Sequence, residues 1–364
     1  MQLRNALILL LSICFISLTF AQDTGIIPFK MVKGAIIIEV EIADSTYNFV
    51  LDTGGYLSIS KEIQERLSLM VSSSVTVSDI NKNEKVFEKA ILPQIVIGGL
   101  VFQNREAIII SDYGEYPDRC FGISGMIGRD FLRGKITYFD YAKQEMRITE
   151  EANHIPALES MNYTRLKTSK RGLPDIKIEI DGKKRFIELD SGSPDFISFK
   201  TAELESILAK ENAKHGIRAY EGIFSFGVAG KSYTPTLRYS RTISEWRIGH
   251  EIFQNTTSQL SKPSAARMGA GLLLRGIVAL DWKNNRFYFD TYENHQLPIE
   301  ENFGFDIGKI RGEHTIKWVE KGTAAERQGL QYGDIVLSIN GRDPAKWDEC
   351  NCYLNGYGYE ADET

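Results

Sequence analysis

Two short stretches of the chain place an aspartate, a hydroxyl residue and a glycine in the same local pattern. The first reads LDTGG over residues 51–55, and the second reads LDSGS over residues 189–193. Two carboxylates that lie close together cannot both ionise cheaply, so they share a proton and their pKa values move apart. The ionised member of such a pair can take a proton from water, while the protonated member polarises a carbonyl group. The candidate catalytic residues are therefore Asp52 and Asp190.

The residues that follow the two aspartates are suited to support them. Gly54 and Gly192 permit a tight loop whose backbone approaches the carboxylates closely. Thr53 and Ser191 each carry a hydroxyl group that can bridge to the opposite loop and lock the pair together. Ser193 can hydrogen-bond its own aspartate. We expect these five residues to form the support of an active-site loop.

The two aspartates belong to a larger internal repeat. Three blocks recur in the same order in both halves of the chain: residues 34–55 with 172–193, 97–104 with 248–255, and 128–141 with 269–282. In the first block, β-branched residues alternate with charged ones, which predicts a half-buried strand, a polar turn and a second strand that ends at the aspartate. The repeat predicts a mainly β fold of two duplicated β-barrel lobes.

The repeat also sets the expected boundaries of the lobes. Lobe one is expected over residues 29–150 and lobe two over residues 163–292, with the stretch EANHIPALESM crossing between them. Strand signals dominate both lobes, and the clearest helix signals cover residues 60–67 and 201–214.

At these residues the sequence resembles the aspartic peptidases, over about 260 of its 364 residues. Each aspartate motif is followed far downstream by the hydrophobic–hydrophobic–glycine turn of that family, as Met-Ile-Gly at 126–128 and as Arg-Met-Gly at 267–269. The resemblance implies two fused lobes of the retroviral type and an endopeptidase with Asp52 and Asp190 as its dyad. It also implies a substrate-covering hairpin near Val75 to Ala90, with its tip at residues 81–84.

Two positions depart from the family pattern. Gly55 stands where serine, threonine or alanine is usual, although retroviral-type enzymes work without a hydroxyl group there. Arg267 stands where the family has an apolar residue, and a buried unpaired charge would be costly. We expect Arg267 either to point to solvent or to mark a remodelled second lobe. The alternative function is a catalytically silent protein that binds peptides through the cleft between the lobes and through its tail.

The tail, residues 303–364, carries a different pattern. Phe303-Gly304-Phe305, a strand-like segment at 316–319 and a series of glycine turns that ends at Asn340-Gly341 resemble a PDZ domain, which is a small α+β fold. The resemblance implies that Phe303, Gly304 and Phe305 offer backbone N–H groups to the C-terminal carboxylate of a peptide, which pairs with the following strand. A small β domain that only caps the lobes is the alternative. We expect a groove helix within residues 346–355 and an incomplete domain, because no closing strand is evident after it.

Composition excludes several other classes of function. A net charge of −5 gives no basic footprint, so nucleic acid is not an expected partner, and peptides or proteins are. The histidines are scattered and the single Cys-x-Cys pair has no second pair, so neither a metal nor another cofactor is expected. The chain has no nucleophile elbow of the form G-x-S-x-G and no P-loop.

The N-terminus predicts export. Arg4 precedes an apolar run from Ala6 to Phe20, and Thr19 and Ala21 are small residues in front of a cleavage point. This pattern is typical of a signal peptide cleaved after Ala21, and the run is shorter than the roughly 20 apolar residues that span a bilayer. We expect an exported protein, periplasmic or secreted, without a transmembrane segment in its mature chain. Its three remaining cysteines predict no disulfide framework.

Overall fold

The computed structural model describes residues 25–78, 83–114, 118–180, 182–200, 217–223, 226–227, 230–231, 234–261, 266–292 and 303–355. The expected signal peptide at 1–21, the expected helix at 201–214 and the first half of the expected hairpin tip at 81–84 lie outside these residues.

Strands dominate the described residues, as the alternating sequence pattern predicts. Those of the first half are β1 (Ile26–Val32), β2 (Ala35–Ile42), β3 (Ser45–Asp52), β4 (Ser58–Ser60), β5 (Val71–Ser78), β6 (Glu84–Ile97), β7 (Leu100–Ile110), β8 (Ile123–Gly128), β9 (Ile136–Asp140) and β10 (Glu145–Thr149). Those of the second half are β11 (Tyr163–Thr168), β12 (Pro174–Ile180), β13 (Lys183–Leu189), β14 (Ile197–Lys200), β15 (Ile217–Gly222), β16 (Phe226–Gly227), β17 (Gly230–Lys231), β18 (Thr236–Ile248), β19 (Glu251–Ser261), β20 (Arg267–Met268), β21 (Gly276–Asp281) and β22 (Arg286–Thr291). The tail adds β23 (Phe305–Ile310) and β24 (Glu313–Glu320).

The helices are short. They are α1 (Lys61–Arg66), α2 (Asp118–Phe121), α3 (Arg129–Leu132), α4 (Ala324–Arg327) and α5 (Glu349–Asn355), with 3-10 turns at Asp112–Gly114, Ala152–His154, Pro156–Glu159, Ala270–Leu272 and Pro344–Lys346. Helix α1 matches the helix signal at residues 60–67. The hydroxyl oxygen of Ser60 accepts a hydrogen bond from the backbone N–H of Ile63 at 3.2 Å and so caps its N-terminus.

Six strands of the first half close into a barrel. Strand β2 pairs with β3 and β6, β3 pairs with β8, β8 with β4, β4 with β7, and β7 with β6. Along β2 the buried Val40 and Ile42 alternate with the exposed Glu39 and Glu41, so the apolar face of the strand fills the barrel core.

The strands of the second half repeat these pairings. Strand β12 pairs with β13 and β18, β13 with β20, β20 with β14, β14 with β19, and β19 with β18. The register repeats as well: Ile37 lies opposite Val50 in lobe one, and Asp175 lies opposite Glu188 in lobe two. Both positions are displaced by 138 residues (175 − 37 and 188 − 50), so the repeat in sequence is also a repeat of strand pairing.

A sheet shared by the two halves joins them. Its hydrogen-bonded order is β1, β10, β9, β21, β22 and β11, with the lobes meeting where β9 pairs antiparallel with β21. The stretch EANHIPALESM crosses this sheet, and its buried Ile155, Leu158 and Met161 pack in one cluster with Tyr138 and Tyr288. Because this crossing segment is packed rather than loose, it helps to fix the lobes in one arrangement.

The tail is attached to both lobes. In lobe two, β24 pairs antiparallel with β15, with Tyr220 opposite Glu320. In lobe one, Cys120 of α2 forms a disulfide with Cys350 of α5, with a Cα–Cα distance of 4.9 Å. This bridge was not predicted from the sequence, because three cysteines do not indicate a disulfide framework. Residues 230 positions apart become neighbours only when the tail folds back onto lobe one.

Candidate active site

Each candidate catalytic aspartate stands at the end of a strand held between two neighbours. Strand β3 ends at Asp52, which lies opposite Gly128 in the parallel strand β8. Strand β13 ends one residue before Asp190, whose backbone N–H donates to the Met268 carbonyl oxygen of β20 at 2.8 Å. The barrel strands thus deliver the two aspartates from opposite lobes to one place.

Four hydrogen bonds cross between the two aspartate loops. The backbone N–H of Thr53 donates to Ser191 Oγ, and the backbone N–H of Ser191 donates to Thr53 Oγ1, each at 3.0 Å. The two hydroxyl groups donate in turn to the carbonyl oxygens of Leu189 and Leu51, each also at 3.0 Å. All four bonds are buried, so each loop is held by the loop of the opposite lobe.

The glycines of the two motifs leave room for the opposing carboxylate. A methyl group built on Gly54 would lie 2.7 Å from Asp190 Oδ1, and one built on Gly192 would lie 2.5 Å from Asp52 Oδ2. Side-chain carbons do not approach oxygens that closely, so these positions admit only glycine. Each carboxylate therefore lies against the backbone of the other loop, and the two carboxylates face one another.

Each loop also binds its own aspartate. The N–H of Gly54 donates to Asp52 Oδ1 at 2.7 Å, and the N–H of Gly192 donates to Asp190 Oδ1 at 3.2 Å. The backbone N–H of Ser193 donates to the Asp190 carbonyl oxygen at 3.0 Å. The expected bond from the Ser193 hydroxyl to Asp190 is not among the contacts of these described residues, so the support from Ser193 comes from its backbone.

The surroundings of Asp52 favour its protonated form. Burial has the largest effect, and the charge of Asp190 and a hydrogen bond with its carboxylate add to it, so that the pKa of Asp52 rises from 3.8 to about 7. Hydrogen bonds from the backbone of Gly54 and Gly55 oppose this rise. A pair that holds one proton near neutral pH is the arrangement that water activation requires.

Comparison with known families supports the geometry. The aspartyl protease family profile matches residues 38–131, which include the first aspartate motif and the Met-Ile-Gly turn, and a PDZ domain profile matches residues 315–349. The chain combines an aspartyl protease domain with a PDZ domain.

Two of the solved structures that match the chain are seed globulins. The chain resembles conglutin gamma, a basic 7S globulin from lupine seeds, with 10% identity, a TM-score of 0.47, and 74% of this chain and 95% of that one covered. It also resembles the basic 7S globulin from soybean, with 11% identity, a TM-score of 0.45, and 77% and 100% covered. A search of the curated proteins gave no match.

Arg267 lies beside the two aspartate loops rather than in solvent. Its side chain is 13% exposed, and its Nη1 lies 2.9 Å from Asp190 Oδ2. Its Nη2 lies 3.6 Å from Glu188 Oε1. The expectation that Arg267 points to solvent is therefore wrong: the arginine is largely enclosed and has two carboxylate partners. A signal for this existed in the sequence, since Glu188 precedes the second motif on the strand that pairs with the Arg-Met-Gly segment.

The second lobe is also remodelled, as the other alternative held. Ser58 in β4 and Ser198 in β14 occupy equivalent places, because each pairs with a residue of the neighbouring Met-Ile-Gly or Arg-Met-Gly strand. Ser58 follows Asp52 by six positions, whereas Ser198 follows Asp190 by eight. The longer loop includes Asp195, whose pKa burial raises and the charges of Arg238 and Arg267 lower.

Two residues that sequence reasoning missed support the loop of lobe one. The Nη1 of Arg129 donates to the carbonyl oxygens of Gly54 and Gly55, and its guanidinium carbon lies 3.8 Å from the centre of the Tyr56 ring. Asp130 Oδ1 accepts a hydrogen bond from the Leu57 N–H at 2.7 Å. Both residues directly follow the Met-Ile-Gly turn, so their position could have marked them. The corresponding Ala270 and Gly271 of lobe two have no such side chains.

The expected covering hairpin is formed by β5 and β6, with Val75 opposite Phe87. Phe87, Val75 and Val77 pack in one apolar cluster with Met126 of the Met-Ile-Gly turn. The base of the hairpin therefore adjoins the active-site loop of the protease domain.

The expected carboxylate loop at Phe303, Gly304 and Phe305 precedes the residues that match the PDZ profile and lies at an exposed corner. Phe303 is 85% exposed, and Gly304 has a left-handed φ of +82° that favours glycine. Phe305 begins β23, which pairs only with β24 among the described strands. Lys309 Nζ on β23 lies 3.2 Å from Glu349 Oε1 on α5, so this strand and helix are joined by an ion pair. In the described part of the chain, no helix is both long and apolar enough to cross a membrane.

Proposed function

We propose that this protein is an aspartic endopeptidase that hydrolyses peptide bonds with a water activated by Asp52 and Asp190. One observation carries the proposal: the four buried hydrogen bonds between the loops hold the two carboxylates face to face, where they share one proton. Thr53, Gly54, Ser191, Gly192 and the backbone of Ser193 support this arrangement.

The reaction follows from the single shared proton. The ionised carboxylate accepts a proton from water as the water oxygen attacks the carbonyl carbon of the peptide bond. The protonated carboxyl group donates its proton to the carbonyl oxygen, and the resulting diol collapses as a proton passes to the leaving nitrogen. No metal or other cofactor takes part in these steps.

The test measures hydrolysis of an unfolded protein from pH 3 to 8, with and without a statine-type inhibitor. The variants are Asp52→Asn, Asp190→Asn and the double variant, and Asp44→Asn serves as a control on an exposed aspartate of lobe one. Each single dyad variant is expected to lose nearly all activity, and the double variant to lose little more, because the two residues act as one unit. Near-full activity in one folded single variant would show that the two loops do not form one site.

A catalytically silent peptide-binding protein is the second candidate. The ion pair between Arg267 and Asp190 favours it, because a cation bound to a carboxylate weakens that carboxylate as a base. This candidate requires that peptides bind to the full chain while no hydrolysis occurs at any pH.

Peptides or proteins are the proposed partners of both domains. In the PDZ domain, the N–H groups around Phe303, Gly304 and Phe305 would bind a C-terminal carboxylate, and the edge of β23 would pair with the peptide strand.

Export is the proposed localisation, either to the periplasm or to the outside of the cell. The disulfide between Cys120 and Cys350 supports it, because such bridges persist mainly in oxidising compartments. N-terminal sequencing of the mature protein should begin at Gln22. A protein that retains Met1, or that carries a lipid on Cys14, would contradict this proposal.

A further inference from the structure

The two aspartates have different neighbours at equivalent places. Met126 lies opposite Val50 in the parallel pair β3–β8, and Arg267 lies opposite Glu188 in the parallel pair β13–β20. Val50 and Glu188 are themselves equivalent, being 138 residues apart (188 − 50), so Met126 and Arg267 correspond to one another.

The two equivalent side chains lie beside the two aspartate loops. A methyl group built on Gly55 would overlap the sulfur of Met126 and would lie 2.9 Å from Asp52 Oδ2, so the thioether lies beside the Asp52 loop. Arg267 Nη1 lies 2.9 Å from Asp190 Oδ2. One carboxylate therefore has a neutral neighbour and the other has a cation.

The other charges around Arg267 leave its cation available to Asp190. Glu188 has a nearer partner, because Arg171 Nη2 lies 2.5 Å from its Oε2 whereas Arg267 lies 3.6 Å from its Oε1. On lobe two, the charged groups around Arg267 are Arg171 before β12, Asp175 on β12, Glu188 on β13, Asp195 in the long loop and Arg238 on β18. From lobe one, Asp52 faces Asp190, and the neutral Tyr113 lies near Asp52. The charge of Arg238 acts to lower the pKa of Asp195, as the charge of Arg171 acts to lower the pKa of Glu188.

We propose that Arg267 is a positioning residue that fixes the roles within the dyad: it holds Asp190 as the ionised carboxylate and thereby leaves the shared proton on Asp52. A cation at hydrogen-bonding distance stabilises the charged form of a carboxylate. The neutral Met126 gives Asp52 no such support. Asp190 is then the group that takes the proton from water, and Asp52 is the group that donates to the carbonyl oxygen.

The cost of burying Arg267 supports a functional role. Its Nε is buried and has no hydrogen-bond partner among the described residues. A buried donor without a partner lowers stability, so an apolar residue such as the methionine of lobe one would serve packing better. The arginine is explained by its effect on Asp190, not by its contribution to the fold.

The kinetic part of this inference rests on the proposed function, and the first experiment addresses it. The dependence of kcat/KM on pH is measured for the full chain, for Arg267→Met, which copies lobe one, and for Arg267→Lys, which keeps the charge. The control is Arg247→Met, which removes an exposed arginine that also lies 2.9 Å from a carboxylate, that of Glu245.

In Arg267→Met, both limbs of the profile should move to higher pH by about one to three units, because both apparent pKa values of the dyad rise when the cation is lost. In Arg267→Lys, which keeps the charge, both limbs should lie close to their positions in the wild type. Arg247→Met should leave the profile unchanged. A uniform loss of kcat with unmoved limbs in Arg267→Met would assign the arginine a structural role only and would overturn the proposal.

The second experiment does not depend on activity. Asp side chains are labelled with 13C at Cγ, and the signals of the dyad are assigned through Asp52→Asn and Asp190→Asn. Near pH 5 the full chain should give a carboxylate shift for Asp190 and a carboxyl shift for Asp52, and Arg267→Met should remove this difference. The reverse assignment, or titration unchanged by Arg267→Met, would overturn the inference. If no variant hydrolyses peptides while the titration behaves as expected, the proposed function fails and the assignment of the proton stands.

Discussion

Replacing Asp52 by asparagine removes one titratable group and keeps the shape of its loop. The asparagine side chain retains an oxygen that can accept the 2.7 Å bond from the Gly54 N–H. What it cannot do is hold or release the proton that the two carboxylates share. The variant therefore separates the chemistry of the dyad from its geometry, in stability as well as in activity.

The effect on stability follows from the raised pKa of Asp52. Folding shifts this pKa from 3.8 to about 7, so the folded protein binds the proton more tightly than the unfolded chain does. Raising the pH therefore lowers the free energy of unfolding of the wild type. The destabilisation by Asp52 is absent well below pH 3.8, grows between the two pKa values, and is complete above about pH 7. The linkage relation gives a penalty of about 1 kcal/mol at pH 4.5 and about 4 kcal/mol at pH 8.

The assay is urea unfolding of wild type and of Asp52→Asn at pH 4.5 and at pH 8, with Asp44→Asn as the control. The stability of Asp52→Asn relative to wild type should increase by about 3 kcal/mol between the two pH values, and that of Asp44→Asn should not change. At the same time, kcat/KM of Asp52→Asn should fall by roughly 100- to 10,000-fold or more, because proton transfer is lost. An equal stability difference at both pH values would refute the argument that Asp52 is a buried carboxylate beside a charged partner.

Three further predictions test the supports of the site and the attachment of the tail. Thr53→Val and Ser191→Ala should each lower the free energy of unfolding by about 1–3 kcal/mol, since each leaves a buried N–H without its acceptor; urea unfolding should also show the double variant losing less than the sum of the two. Replacing Cys120 and Cys350 by serine should lower the free energy of unfolding by about 2–4 kcal/mol, whereas an unchanged value would mean that the bridge adds nothing to the strand pairing of the tail. Phe303→Asp should weaken binding of a peptide with a free C-terminus about tenfold, or 1.4 kcal/mol, in fluorescence polarisation; an amidated peptide should bind weakly to both forms, and equal binding of both peptides would contradict a carboxylate loop.

The fold was predictable to the extent that the sequence repeats itself. Alternation of apolar and charged residues gave the strands, and the constant displacement of 138 residues around the two motifs gave equivalent positions for Asp52 and Asp190. These signals are local, because each depends on residues within one hairpin. The pairing of β9 with β21 was not foreseen, since Phe139 and Val278 come to lie opposite one another only when both lobes have folded.

The parts of the site that escaped prediction depend on contacts between distant residues. Cys120 and Cys350 gave no spacing that would mark a bridge, because their proximity comes from the docking of α5 on α2. Arg267 was recognised as unusual, but its two partners lie on the neighbouring strand and on the loop that follows it. A buried arginine can be interpreted from sequence only when the strand beside it is known, and here that strand carries Glu188 directly before the aspartate motif.

The tail cannot be separated from the protease domain by simple deletion. Its strand β24 pairs with β15, β15 pairs with β18, β18 with β12, and β12 with β13, the strand that leads into Asp190. Strand β23 is the next strand beyond β24, so a peptide bound along β23 would extend the same hydrogen-bonded sheet that positions one half of the dyad. A truncated chain that lacks the tail would leave the β15 edge without its partner and Cys120 without Cys350. Loss of activity after such a truncation would therefore report damage to lobe two as readily as loss of peptide binding, whereas Phe303→Asp changes an exposed side chain and leaves these contacts in place.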